Sequence, residues 1–390
     1  MKLKINETSL SNLLIWAAIL TGLCGFAYGY SYIIYAILTL SLAALVYGIF
    51  FSHLKRKINI NELLLIMTLL ITLPSAIRHL SQGGVKSYVM INISLLLPLA
   101  ISYMDIRYQN LPEQICRAEK IVFIVMLLLT QLPGEWNSNS IGIQYFICAN
   151  VGFLGIYLSR NKRQKCLAIA FLSACFFMIL STESRNTGLI MLACIVLLLL
   201  PAKWLKKRWL YRLIYLGAMA ATILAPYIMD FVFSSNVLMM HLLNFTSKFS
   251  DKGWSMDSHL AIILYVKDQF MRQDVYTQVF GTGMKLHLAH NLFYQCLFSY
   301  GILGTAMIYV FYIRIFETAF KLYKYHNNKL VLACAMAMVG HFLLQCAEVY
   351  MFGIESPYIL AFVPAGIILH QYRLMKESHR KKRIEKIPLI

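Results

Sequence analysis

The chain has 390 residues, 59% hydrophobic and 14% charged, with a formal net charge of +19 and a mean hydropathy of +0.64. A soluble protein of this length cannot hide that much apolar surface, and no segment alternates with the period of two that a lipid-facing β-barrel needs. The positive charge does not point to nucleic acid, because it lies in short clusters between apolar runs: "KRK" at 55–57, "RNKRQK" at 160–165, "KWLKKR" at 203–208 and "RKKR" at 380–383.

The first residues, "MKLKINETSLSNLLIWAAIL", are basic and then apolar. They lack a small-residue cleavage site and read as a retained first span rather than a removed signal. Apolar runs then recur, and length predicts about twelve membrane-spanning helices, at roughly 11–28, 32–51, 62–77, 88–103, 121–134, 142–158, 166–181, 187–201, 210–228, 291–312, 330–349 and 358–371. The expected fold is an all-α polytopic membrane protein with one integral domain over 1–390, no soluble domain and no internal repeat. With both termini in the cytoplasm, only eight of the 36 Lys and Arg fall outside: Arg78, Lys86, Arg185, Lys248, Lys252, Lys267, Arg272 and Lys285. That asymmetry is the positive-inside pattern and sets the expected orientation.

The long segment 229–289, between the ninth and tenth predicted spans, is then external. It is too apolar for a disordered linker. "NVLMMHLLNF" and "SHLAIILYVKDQFM" have helical periodicity with polar faces, so short amphipathic helices are expected there, against the membrane surface or capping a cavity. "GTG", with Gly281 and Gly283, marks a turn. The nine cysteines show no C-x-x-C spacing and read as small apolar packing residues.

Two external motifs carry candidate chemistry. "STESRNTGL", Ser181 to Leu189, holds a lone external cation, Arg185. A guanidinium offers a planar fork of donors suited to phosphate oxygens, although a pair with Glu183 or snorkelling to headgroups is the plainer reading. "HNLFYQCLFSYGILG" puts His290 and Asn291 at the mouth of the tenth span, where free N–H groups and the helix dipole favour anions. His290 can accept a proton or donate a hydrogen bond; an interfacial histidine with Asn291 as a helix cap is the plainer reading. Gly301 and Gly304 set small residues one turn apart for close helix packing. His287 and His290 lie three apart, with His241 and His259 in the same loop, yet no H-E-x-x-H or carboxylate ligand set accompanies them, so no metal site is expected. There is no P-loop and no G-x-S-x-G elbow.

Together, R-x3-L (Arg185, Leu189) and H-N-x9-G-x2-G (His290, Asn291, Gly301, Gly304), in that order and flanking a large external loop, resemble the bacterial O-antigen ligase family and the related O-antigen polymerases. The layout of the whole chain is similar, and residue-level matching is confined to about 160–312. The resemblance implies a metal-independent inverting glycosyltransferase of the helical GT-C type, without cofactor, in the cell inner membrane. Its donor is a glycan on undecaprenyl diphosphate and its site faces the periplasm. A ligase delivers the glycan to lipid A–core in lipopolysaccharide biosynthesis; a polymerase delivers it to another lipid-linked repeat unit. A chain-length regulator or other polysaccharide-assembly protein is the implied protein partner, with membrane lipids around it and no nucleic acid. Arg185 and His290 would be catalytic and Asn291 would orient sugar or histidine. Members commonly carry a second arginine ahead of a G-x-G turn; here Arg272, Lys285 and His259 are the candidates for that phosphate contact. A flippase for the same lipid is the reading of another class. It predicts ionisable groups deep within the spans, which here are nearly free of charge, with His341 and Glu348 in or near the eleventh as the main exceptions.

Overall fold

The computed structural model describes residues 39, 43, 58–78, 92, 95, 98–103, 111–130, 138–182, 184–201, 203–234, 256–283, 291–346 and 363–384. The first expected span, the second apart from residues 39 and 43, and half of the fourth lie outside them. Among the described residues there are helices and turns and no strand. In chain order the helices are α1 (Ile60–Arg78), α2 (Leu111–Thr130), α3 (Ser138–Leu158), α4 (Lys162–Ser181), α5 (Arg185–Leu199), α6 (Arg208–Ser234), α7 (Met256–Met271), α8 (Val275–Phe280), α9 (Leu292–His326), α10 (Lys329–Leu344) and α11 (Val363–Ile384), with a 3-10 turn at Trp204–Lys206.

Four helical stretches are long and apolar enough to cross a membrane: Ile141–Leu158, Lys162–Ser181, Arg208–Ile228 and Leu292–His326. Ile60–Ser75, Asn186–Leu199 and Lys329–Leu344 are apolar but shorter. Large apolar side chains are exposed along these helices, among them Leu70, Phe177, Val196, Leu199 and Leu213. A water-facing surface would pay heavily for such a belt, whereas hydrocarbon accepts it.

Asparagine starts several helices by satisfying orphan N–H groups. Asn59 Oδ1 accepts from the Asn61 and Glu62 N–H groups at 2.9 and 3.1 Å, and Glu62 Oε2 accepts from Asn59 N–H at 3.0 Å, a complete capping box on α1. Asn161 and Asn328 cap α4 and α10 in the same way. Asn327, in the left-handed region at φ 50°, ends α9.

The centre of the bundle is α10, which packs against α3, α5, α6, α9 and α11. Its sequence "LVLACAMAMVGHFLL" is rich in small residues, so neighbours approach closely on every side. From Leu330 to Leu344 only Leu343 is not fully buried. His341 lies within it, edge-on to Phe146 with ring centroids 5.5 Å apart, and the Asn150 amide donates to its Nε2 at 2.8 Å.

Side-chain contacts define two ends of the bundle. At one end Arg373 pairs with Glu62 and stacks 3.9 Å over the Tyr103 ring, Arg314 donates to Asn61 at 2.7 Å, and Arg212 and Tyr215 donate to Glu317 at 2.6 and 2.9 Å. We call this the basic end. At the other, the junction end, Arg78 at the close of α1 meets Asp274 at 3.7 Å and Tyr276 at 5.6 Å, and α9 begins beside α6 and the end of α10.

Candidate functional site

The connection from α4 to α5 is short: α4 ends at Ser181 and α5 begins at Arg185, so "RNTGL" is the first turn of a helix rather than a loop. Ser184 precedes it, buried, its hydroxyl donating to Thr187 Oγ1 at 2.8 Å. Arg185 contributes its backbone to that first turn; its side chain, like all of Glu183, lies outside the described residues. The R-x3-L spacing is an i, i+4 pair, which stacks the two positions on one helix face. Leu189 opens a groove of about 490 Å³ running down that face, walled by Leu192, Ala193, Val196 and Leu197 of α5, Ile214 and Ala218 of α6, and Val339 and Leu343 of α10. Every wall residue is apolar.

His290 itself lies outside the described residues, while the structure begins again at its neighbour. Asn291 is fully buried and caps α9, its Oδ1 accepting from Tyr294 N–H at 3.3 Å. Its Nδ2 donates to the Thr222 carbonyl at 2.8 Å and the Cys346 carbonyl at 3.2 Å. Leu292 N–H donates to the Gln345 carbonyl at 3.1 Å. The Thr222 carbonyl needs this donor for a covalent reason. Its helical partner would be the N–H of residue 226, and that residue is Pro226. The start of α9 is thus tied to α6 and α10 through backbone carbonyls. Leu343, in the groove wall, stands two residues before Gln345, so the two sequence motifs share the last turn of α10.

The glycines form a second tie. α9 is broken at Gly301, with φ 65° and ψ −175°. The helical partners of the Phe298 and Ser299 carbonyls would be the N–H groups of Ile302 and Leu303, across the break. Those carbonyls accept instead from Thr282 N–H at 2.9 Å and Gly283 N–H at 3.1 Å. Gly281, at φ 80°, packs backbone to backbone on Gly301: a Cβ on Gly301 would run into the Gly281 nitrogen and the Val279 carbonyl, and one on Gly281 into the Ser299 carbonyl. The "GTG" turn is therefore a plug for the broken helix, which is how irregular backbone is accommodated inside a bundle. Gly304 stands one turn beyond the break, where an added Cβ would sit 2.7 Å from the Tyr300 Cβ of the same helix, so its near neighbour is within α9 rather than on another helix.

Among the described residues of the 229–289 segment are the end of α6 and the helices α7 and α8, while "NVLMMHLLNF" lies outside them. On α7 Ile263, Val266 and Phe270 are buried, the first two against Tyr294 of α9. His259 lies one turn before Ile263 in the same helical register; its side chain is outside the described residues. Arg272 is exposed and pairs with Asp268 at 2.8 Å. Lys285 lies outside the described residues. Asp274 caps the short α8, accepting from Thr277 N–H at 3.1 Å and from its hydroxyl at 2.8 Å. These bonds, with a smaller contribution from Arg78, hold its carboxyl below the usual aspartate range.

Sequence reading missed Thr222, Pro226, Gln345 and a cluster on α6, α7 and α9, in which Lys267 stands 5.3 Å over the Tyr227 ring and Tyr294 packs against Ile263 and Val266. A signal existed for the first pair, because a proline inside an apolar run always leaves a carbonyl without its helical donor. Among the described residues no three His, Cys, Asp or Glu side chains gather as a metal-binding group. No family model matches the chain, and a search of curated proteins finds no match.

Proposed function

We propose that the protein is a polytopic inner-membrane glycosyltransferase, an O-antigen ligase that moves a glycan from undecaprenyl diphosphate to lipid A–core at the periplasmic face. In this reading twelve helices span the membrane, both termini are cytoplasmic, and the junction end faces the periplasm. The observation that carries the reading is the apolar groove that begins at Leu189, one helical turn below Arg185. A polyprenyl chain fits a long apolar groove, and its diphosphate would then stand at the turn that holds the arginine. The charge pattern supports the orientation. Arg208, Arg314 and Arg373 gather at the basic end, and Arg78, Lys267 and Arg272 lie toward the junction end.

In the reaction the acceptor hydroxyl oxygen attacks the anomeric carbon from the face opposite the diphosphate. The bond from carbon to phosphate oxygen breaks, and its electron pair leaves on the diphosphate. Arg185 stabilises that growing charge in a partly dry site, where electrostatics is stronger than in water. His290 either takes the acceptor's proton or hydrogen-bonds the departing phosphate. The leaving group is already good, so positioning supplies much of the rate.

The lipopolysaccharide banding pattern of a deletion strain tests the assignment. A ligase predicts loss of every capped form. A ladder collapsed to core plus one unit identifies a polymerase, and donor accumulated on the cytoplasmic side identifies a flippase.

A further inference from the structure

Glu119 of α2 is 1% exposed, and neither of its carboxylate oxygens has a hydrogen-bond partner. It stands just before the expected span 121–134. Among the described residues no cation offsets it, and burial alone pushes its carboxyl up to about 7. α2 packs against α3 and α4, which also pack on each other. Two contacts along this face differ in kind. At the surface Glu113 meets Arg160 at 3.8 Å, both side chains exposed, and such a pair holds weakly. Further along α2, Glu119 enters a slot that exists because residue 155 is glycine. A Cβ on Gly155 would run into Glu119 Oε1 and stand 2.8 Å from the Ala168 Cβ. Neither Gly155 nor Ala168 brings a side-chain donor, so the slot offers a carboxylate nothing to bind. The ionisable groups around it are two thiols, Cys116 on α2 itself and Cys175 on α4, and Lys120, which follows it on α2, is exposed.

An unpaired carboxylate is strongly disfavoured in such a place, whereas a protonated carboxyl is tolerated. We infer that Glu119 is a proton-binding site that seats α2: it occupies the Gly155 slot as the neutral acid, and loss of its proton releases this stretch of α2 from α3 and α4. The O–H bond breaks, its electron pair stays on the carboxylate, and the proton passes to water. Glycan transfer plays no part in this step. The seated carboxyl has the higher pKa, so seating is fully favoured below the ordinary glutamate range and weakens as pH rises above it. From that range up to about 7, release loses one proton and its equilibrium constant grows about tenfold per pH unit; above about 7 both forms are ionised and the dependence levels off.

The test compares the full-length wild type, Glu119→Gln and Gly155→Ala in nanodiscs across a pH series that brackets neutrality. Two quantities are read. One is the carbonyl stretch of a protonated carboxyl in infrared difference spectra. The other is hydrogen exchange of the α2 amides around Glu119, expressed as protection so that the intrinsic pH dependence of exchange cancels. Wild type should show a carboxylic-acid band that disappears with a midpoint near 7 and is missing from Glu119→Gln. Its α2 protection should fall about tenfold per pH unit up to that midpoint and then level off. Glu119→Gln is neutral at every pH, so it should keep α2 seated with flat protection. Gly155→Ala fills the slot and should lower α2 protection even at acid pH, where wild type is seated. If Gly155→Ala does not fold, Glu119→Gln decides alone. A Glu119 band that titrates in the ordinary glutamate range would overturn the inference. So would wild-type protection that is flat with pH, or a pH dependence that survives Glu119→Gln.

Discussion

At the basic end of the bundle charged side chains hold the helices together; at the junction end backbone carbonyls, glycines and one amide do it. Glu62 and Arg373 are almost wholly buried and face each other across helices α1 and α11. Glu317 gathers Arg208, Arg212 and Tyr215 from α6. At the junction end the joints are Asn291 on two carbonyls and the Gly281–Gly283 turn on the Gly301 break. Charges committed to a lattice cannot also meet a substrate. A joint made of main chain commits no buried charge, and the ion pairs described at the junction end, Arg78–Asp274 and Arg272–Asp268, are exposed.

The largest break should come at the basic end. Glu62→Ala leaves Arg373 buried without its counter-charge, and removing one partner of such a pair costs about 3–5 kcal/mol. Thermal unfolding of the full chain in detergent should show this loss. A midpoint unchanged by Glu62→Ala would mean that the lattice is incidental. Next comes Gly301→Ala. Its backbone angles belong to a region essentially reserved for glycine, at a cost of about 1–3 kcal/mol for another residue, and the added Cβ would strike Gly281. The expected signature is local: protease cleavage or faster exchange within 275–283, with the basic end unaffected. Uniform destabilisation would argue against a plug.

The smallest effect is acid sensitivity of α8. The folded-state pKa of Asp274 lies below its unfolded value, so its cap stabilises α8 above the ordinary aspartate range and is lost as pH falls through the lowered value. Exchange at Thr277 should quicken on acidification, and Asp274→Asn, which still caps, should flatten that dependence. A pH response that survives Asp274→Asn would assign it to another group.

How much of this was legible in sequence differs between the same two ends. Helices α3, α4 and α5 begin within about four residues of their expected starts, because apolar runs bounded by basic clusters leave little choice. α9 was expected to stop near 312 and runs to His326. The segment "RIFETAFKLYKYH" looks like a cytoplasmic loop, yet Arg314 and Glu317 find partners on α1 and α6 that no local pattern reveals. α11 likewise continues through "RLMKESHRKKRI" to Ile384, past the expected end near 371, on the same helix as the buried Arg373. At the junction end the residue types were legible and their roles less so. Gly301 reads as a packing glycine and is also a helix break. Asn291 reads as a cap and is also a tie. The groove could not be read at all, since its walls come from three segments far apart in the chain.

In the proposed function Arg185 and His290 act on the lipid diphosphate of the donor. The most direct test is the transfer rate of Arg185→Ala, Arg185→Lys and His290→Ala at matched folded protein levels in the membrane. Losing one contact made in the transition state should cost roughly 10²–10³ in rate. Arg185→Lys should remain badly impaired, because it keeps the charge and loses the fork. If His290 is the base, the wild-type rate should rise with pH through the imidazole pKa and Gln should not replace it; if it only donates a hydrogen bond, His290→Gln should recover part of the rate. Near-wild-type transfer by both Arg185→Ala and His290→Ala would contradict the account.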